Sequence, residues 1–266
     1  MKHPLLKVAS FFIVLWAATF VSTTFYTVLN NLFFYLFISL VTSWLLLRTE
    51  GKTLSSLNFY PQKKEHYLQL FFGFLAGAIL LVGTALVTNR LTGQHWVLTK
   101  NIDPIQILIA FLFCAISVFV QEFTYRGYPF QTLLHNYGKW VAQAVVIIPF
   151  GIMHLHWNMS IGIMTFTVLS TGLGSLLFGE AYIRTKSLCL PIALHLGWNF
   201  AQTYIPRHIS QNGSGFLEVK GSSLQPDDSL FLLPYFPVVL SAYILLHFMK
   251  KSWLSNSVES KVNQVQ

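Results

Sequence analysis

Apolar residues follow one another in this chain for long stretches, broken only by short polar clusters. Each stretch approaches the length of about 20 residues that a helix needs to cross about 30 Å of hydrocarbon. The pattern predicts spans near 8–28, 29–47, 68–89, 104–126, 140–157, 160–182, 187–205 and 229–249. The expected fold is all-α, a polytopic transmembrane bundle of about eight helices. "FQTLLHNYGKW", ahead of the fifth span, has the mixed character of an interfacial amphipathic segment. Lys2 and Lys7 precede the first span as they would in a signal peptide. The apolar run is too long for that role and no clear small-residue cleavage site follows, so a retained anchor is expected.

Composition removes the soluble alternatives. Hydrophobic residues make up 54% of the 266 positions and charged residues 10%, with a mean hydropathy of +0.56. Soluble domains carry about 25% charged residues. With the N-terminus inside, the inner segments hold Lys2, Lys7, Arg48, Lys52, Lys63, Lys64, Lys139, Arg184, Lys186, Lys250, Lys251 and Lys261. The outer loops hold Arg90, Lys100, Arg207 and Lys220. This bias towards one side predicts an even number of crossings with both termini cytoplasmic. The formal charge of +8 therefore reports orientation in a lipid bilayer, and no aromatic-basic motif points to nucleic acid. Cys114 and Cys189 both fall in predicted helices and supply neither a disulfide framework nor a zinc-thiolate motif. One multi-pass membrane domain over 1–266 is expected, with a polar outer loop at 206–228 and a polar tail after Lys251.

Three polar clusters stand where hydrocarbon disfavours them, at a cost of about 2.5 kcal/mol upward for a charge at a helix centre. In "FVQEFTYRGY", Glu122 and Arg126 are spaced i, i+4 and share a helix face. Taken alone, that pair reads as a simple ion pair. In "PFGIMHLHWN", His154 and Asn158 have the same spacing; His156 reads as an interfacial anchor. In "PIALHLGWNF", His195 and Asn199 repeat it, and alone they could merely staple two helices. Together the three supply a carboxylate, imidazoles, an amide and a guanidinium. Those groups can activate water and hold a developing oxyanion. The span limits place Glu122 near the inner face and His154 nearer the outer one, so a shared site requires some limits to move. Elsewhere, Glu180 and Arg184 read as an ion pair. Gly73, Gly77 and the row Thr171, Ser175, Gly179 read as close-packing positions, and Asp103 before Pro104 reads as a helix N-cap.

At these positions the sequence resembles the CAAX-protease and bacteriocin-processing (CPBP) family of intramembrane proteases, whose signature is EExxxR, then FxxxH, then HxxxN. Here the three read Gln121-Glu122-Phe-Thr-Tyr-Arg126, Phe150-Gly-Ile-Met-His154 and His195-Leu-Gly-Trp-Asn199. The resemblance covers roughly 104–205. It implies a bundle of about eight helices around a cavity, and hydrolysis of a peptide bond in a membrane-associated peptide or protein. By carry-over, His154 assists the base, His195 and Asn199 line the oxyanion site, and Glu122 and Arg126 match the second glutamate and the arginine. Gln121 stands where the family has its base. A glutamine cannot accept a proton in that role, and Glu122 lies about 100° further round the helix.

Three explanations stay open: Glu122 serves after a helix shift, the chain is a non-catalytic membrane scaffold, or Gln121 is an introduced change. The family is often labelled metalloprotease. No cofactor is expected to be required; were Zn2+ present, Glu122, His154 and His195 would be its ligands. A transporter with a buried polar path is the remaining alternative, disfavoured by the missing repeat symmetry. A bacterial inner membrane is the expected location.

Overall fold

The computed structural model describes residues 3–99, 103–156, 158–207, 216–221 and 233–249. In chain order these form α1 (Pro4–Phe25), α2 (Leu32–Arg48), α3 (Lys64–Thr92), β1 (Gln94–Leu98), α4 (Pro104–Arg126), α5 (Tyr128–Ile152), α6 (Ile161–Thr185), α7 (Cys189–Tyr204), β2 (Leu217–Gly221) and α8 (Tyr235–Phe248). Four helical stretches are long and apolar enough to cross a membrane: Pro4–Phe25, Lys64–Thr92, Pro104–Ile152 and Ile161–Thr185. Leu32–Arg48 and Tyr235–Phe248 are shorter apolar helices.

The outer faces carry side chains that water would reject. Phe25, Phe33, Ile79, Ile105 and Phe113 are all more than 60% exposed on these helices. Apolar surface on that scale marks contact with lipid. The architecture is that of an all-α membrane bundle, with one addition the sequence did not reveal. Gln94–Leu98 pairs antiparallel with Leu217–Gly221 in a two-stranded ribbon, placing Trp96 opposite Val219. Part of the expected polar loop at 206–228 is therefore a strand. The Trp96 indole pins the ribbon to the end of α7 by donating to the Pro206 carbonyl at 2.8 Å.

Local chemistry sets the helix limits around the motifs. Asp103 caps α4 as expected, its carboxylate accepting from the Ile105 and Gln106 amides, with Pro104 at the first helical position. Only Gly127 separates α4 from α5. A Cβ there would strike the Phe123 carbonyl oxygen, so the turn requires glycine. Within α5, Gly138 adopts φ 81°, ψ 178° and breaks the helix in two. The segment Tyr128–Tyr137 is thus separate from the apolar run that follows.

The fifth span ends sooner than the expected 157. Pro149 removes a backbone donor near the C-terminus, and the helix stops at Ile152. His154 therefore lies just beyond the helix and Asn158 in exposed, non-helical chain. The expected i, i+4 relation between them is not made, which corrects one of the three polar pairs.

α7 packs most extensively against α3, and also against α4 and α6. The α3–α7 contact is backbone against backbone. A Cβ on Gly77 would overlap the Leu194 carbonyl, and one on Gly197 the Phe74 carbonyl. Small residues permit such approach between helices in lipid, and the approach carries His195 to the centre of the bundle.

Candidate active site

The site is built where α4, α5, α6 and α7 converge. Glu122, on the last turn but one of α4, has no solvent exposure. Its Oε1 lies 2.8 Å from His195 Nδ1 and 3.4 Å from an Arg126 Nη. The second oxygen, Oε2, is buried with no hydrogen-bond partner among the described residues. Arg126 is equally buried and spends its other terminal nitrogen on α6, donating to the Ser175 hydroxyl at 2.7 Å and the Ser175 carbonyl at 3.1 Å. Its guanidinium also lies over the Phe150 ring at 4.3 Å and near the Phe178 ring at 5.5 Å. The opposite charges, the Ser175 acceptors and the π faces compensate one another in part, while Arg126 Nε, like Glu122 Oε2, has no hydrogen-bond partner among the described residues.

His195 is held on two sides. Its ring stacks on Phe178 at 4.6 Å with an interplanar angle of 16°, while Nδ1 is engaged by Glu122. With Glu122 as a carboxylate and Arg126 as counter-charge, Nδ1 carries the proton and Nε2 carries the lone pair. His154 is fixed in a similar way. Its Nδ1 donates to the Phe150 carbonyl at 2.8 Å, a carbonyl freed because the helix ends there. Its Nε2 is likewise the acceptor nitrogen.

Both imidazoles, with Phe150 and Asn199, line a cavity of about 220 Å³. Ser170, Thr171, Gly174 and Phe178 of α6, Trp198 and Gln202 of α7, Arg207 and Tyr235 also line it. The cavity is several times the ~30 Å³ a water occupies. Glu122 and Arg126 do not line it; they lie behind His195. Gln121 is also outside this wall. Its Nε2 donates to Ser117 at 3.2 Å, and its buried Oε1 has no partner among the described residues.

The structure thus brings Glu122, Arg126, His195, Phe150, His154 and Asn199 together, and leaves out Gln121, His156 and Asn158. The conflict of depth between Glu122 and His154 disappears because Phe150 reaches both Arg126 and His195. Ser175, assigned above only to close packing, and Phe178 also belong to this constellation. Phe178 carried no signal, since a phenylalanine in an apolar helix is unremarked until a histidine stacks on it. A Zn2+ site of Glu122, His154 and His195 does not fit this arrangement. Glu122 Oε1 is engaged by His195 Nδ1, and among the described residues no three His, Cys, Asp or Glu side chains are grouped to hold a metal.

Glu180 and Arg184 form the expected ion pair at 2.8 Å, joined by His247 of α8, whose Nδ1 is 3.0 Å from the same carboxylate oxygen. This cluster secures α8 to α6.

No curated protein matches the chain. A family model does match residues 103–201, with the description type II CAAX prenyl endopeptidase Rce1-like. That stretch contains all three motifs and the whole Glu122–His195–Asn199 constellation. In agreement with the CPBP resemblance, residues 103–201 of this multi-pass membrane protein are similar to the Rce1-like type II CAAX prenyl endopeptidases.

Proposed function

We propose that the chain is an intramembrane endopeptidase whose water-activating group is His195, oriented by Glu122. The observation that carries this reading is the 2.8 Å contact between the fully buried Glu122 and Nδ1 of His195, a residue that lines the cavity. A carboxylate on Nδ1 fixes the tautomer and stabilises the imidazolium formed when Nε2 takes a proton, the logic of acid–histidine pairs in unrelated hydrolases. Gln121 is then not needed as a base.

In the proposed reaction a water bound at His195 Nε2 gives that nitrogen a proton as its oxygen attacks the peptide carbonyl carbon. His154 Nε2, also an acceptor, holds the water's second hydrogen. The carbonyl oxygen becomes an oxyanion and accepts from the Asn199 side-chain amide. Collapse of the intermediate breaks the C–N bond, the His195 proton passes to the departing amine, and the products are a carboxylic acid and an amine. Arg126 holds Glu122 in place as its buried counter-charge. The lipid-facing exterior and the family match support a membrane-associated peptide or protein as substrate.

The test uses the purified full chain in detergent with a library of membrane peptides, read by mass spectrometry in water enriched in heavy oxygen. The expected outcome is cleavage that places one heavy oxygen in the new carboxyl terminus and that is lost in His195→Ala. Cleavage that persists in His195→Ala overturns the base assignment. No cleavage at all, with substrates of the Rce1-like family included, favours a non-catalytic membrane scaffold, the reading that Gln121 at the position of the family's base leaves open.

A further inference from the structure

His195, Trp198, Asn199 and Gln202 follow one another at i, i+3, i+4 and i+7 on α7, and all four line the cavity. The first and third have roles in the proposed reaction. Gln202, on the last turn of the helix, has none so far. Its side-chain amide is held in one orientation. Oε1 accepts from the Trp198 indole Nε1 at 3.1 Å and from an Arg207 terminal nitrogen at 3.3 Å. Both partners can only donate, so the oxygen is the atom that meets them. The two N–H donors of Nε2 stay uncommitted among the described residues.

The two groups that grip the amide are themselves held. The Trp198 ring meets Tyr235 of α8 edge-on, at 5.2 Å with an interplanar angle of 87°. Arg207 follows Pro206, whose carbonyl accepts from the Trp96 indole of β1. Arg207 and Tyr235 line the same cavity. An amide fixed by two donors has given up its rotamer freedom before any ligand arrives, and less entropy is lost on binding. A guanidinium on Oε1 also polarises the amide and strengthens its N–H groups as donors.

We propose that Gln202 is a substrate-binding residue whose Nε2 donates to a main-chain carbonyl of an extended peptide lying along α7. The inference rests on the endopeptidase reading above and deepens it, since it names the peptide backbone as what this end of the site grips. Asn199 and Gln202 are about 4.5 Å apart along the helix axis, and the glutamine reaches one methylene further. In an extended chain the carbonyls of alternate residues point the same way, about 6.6 Å apart. With the scissile carbonyl at Asn199, Gln202 meets the carbonyl two residues away. Leu80, Leu177, Leu194 and Val239 supply apolar wall around these groups, which suits apolar side chains on the peptide.

The test separates binding from chemistry by using the full-length His195→Ala variant in detergent, in which cleavage is expected to be lost. The probe is a short peptide of alternating Ala and Leu carrying a fluorescein, read by fluorescence anisotropy. A contact to the main chain does not depend on side-chain sequence, so this peptide is sufficient. Adding Gln202→Met or Gln202→Glu is expected to weaken binding by roughly 3–10-fold, the equivalent of one neutral hydrogen bond. Gln202→Glu is the decisive variant, because its carboxylate still accepts from Trp198 and Arg207 but has no N–H to give. Binding kept by Gln202→Glu and weakened by Gln202→Met shows that the side chain only anchors Trp198 and Arg207, and overturns the inference. Binding equal to that of the His195→Ala parent in both variants overturns it too, and leaves the peptidase reading standing. A peptide that fails to bind even that parent removes the peptidase reading and this inference with it.

Discussion

Glu122 and His195, 73 positions apart in sequence, meet at 2.8 Å beneath the cavity, with the carboxylate wholly buried and the imidazole forming part of the cavity wall. The acid does not line the cavity; it meets it only through the histidine.

Replacing that acid should expose its structural debt to Arg126. Glu122→Gln leaves a buried guanidinium without its counter-charge, a loss of about 3–5 kcal/mol. Thermal unfolding in detergent checks it. The double variant Glu122→Gln/Arg126→Met is expected to recover a large part of that loss, because no buried charge remains. A double variant as unstable as the sum of its parts would show that the pair is not coupled.

Gln121→Glu separates the dyad from the family's usual base. With His195 activating water, the added carboxylate is expected to change the cleavage rate less than about tenfold. General-base assistance typically contributes about 10²–10⁴-fold, so a rise of that size on this single change would place the base at position 121 instead. Initial rates on one identified peptide are sufficient.

Ser175→Ala removes the 2.7 Å partner of Arg126. A hydrogen bond to a charged group is worth about 1.5–3 kcal/mol, and that is the expected loss of stability. Because Arg126 positions Glu122, kcat should fall while KM moves little. Ser175→Thr, which keeps the hydroxyl, should restore part of both.

Gly77→Ala tests the α3–α7 contact. The new methyl would overlap the Leu194 carbonyl, backbone that can yield only by separating the helices. Overpacking of this kind costs about 1–3 kcal/mol and occasionally more, and it should also reduce activity, since Leu194 adjoins His195. Gly83, beside which a Cβ would meet open space, is the matched control and should tolerate alanine.

Glu50 makes stability depend on pH at the end of the bundle. Burial pushes its carboxyl up, but donors from Lys7, Lys52 and Tyr128 together bring it below the ordinary value of 4.5. A carboxyl lowered by folding stabilises the folded state above its unfolded pKa, and that stability is lost as pH falls through the folded value. Tm should therefore decline as pH drops below about 4.5, and Glu50→Gln should flatten that part of the decline. An equally steep decline in the variant would place the titration elsewhere.

Much of the architecture was legible in the chain because the solvent was. Long apolar runs require helices where no water can satisfy the backbone. Asp103 with Pro104 marked the start of α4 through capping and steric rules that act within a few residues. The three motifs could be seen because polar groups in hydrocarbon are few, and their order pointed to a hydrolytic site before any contact was known.

Tertiary structure decided which of those groups touch. Helices that are apolar nearly all round carry little record of which face meets which neighbour, so rotation and crossing come from packing. The close approach of α3 and α7 through Gly77 and Gly197 turned His195 towards Glu122 and left Gln121 outside the cavity wall. Pro149 ended α5 early enough to separate His154 from Asn158, although their spacing suggested one face. Ser175 and Phe178 joined the site from another helix, and β1 met β2 across more than a hundred residues. These are long-range contacts, fixed by how side chains fill space between elements, and a local pattern of hydrophobic and polar positions does not encode them.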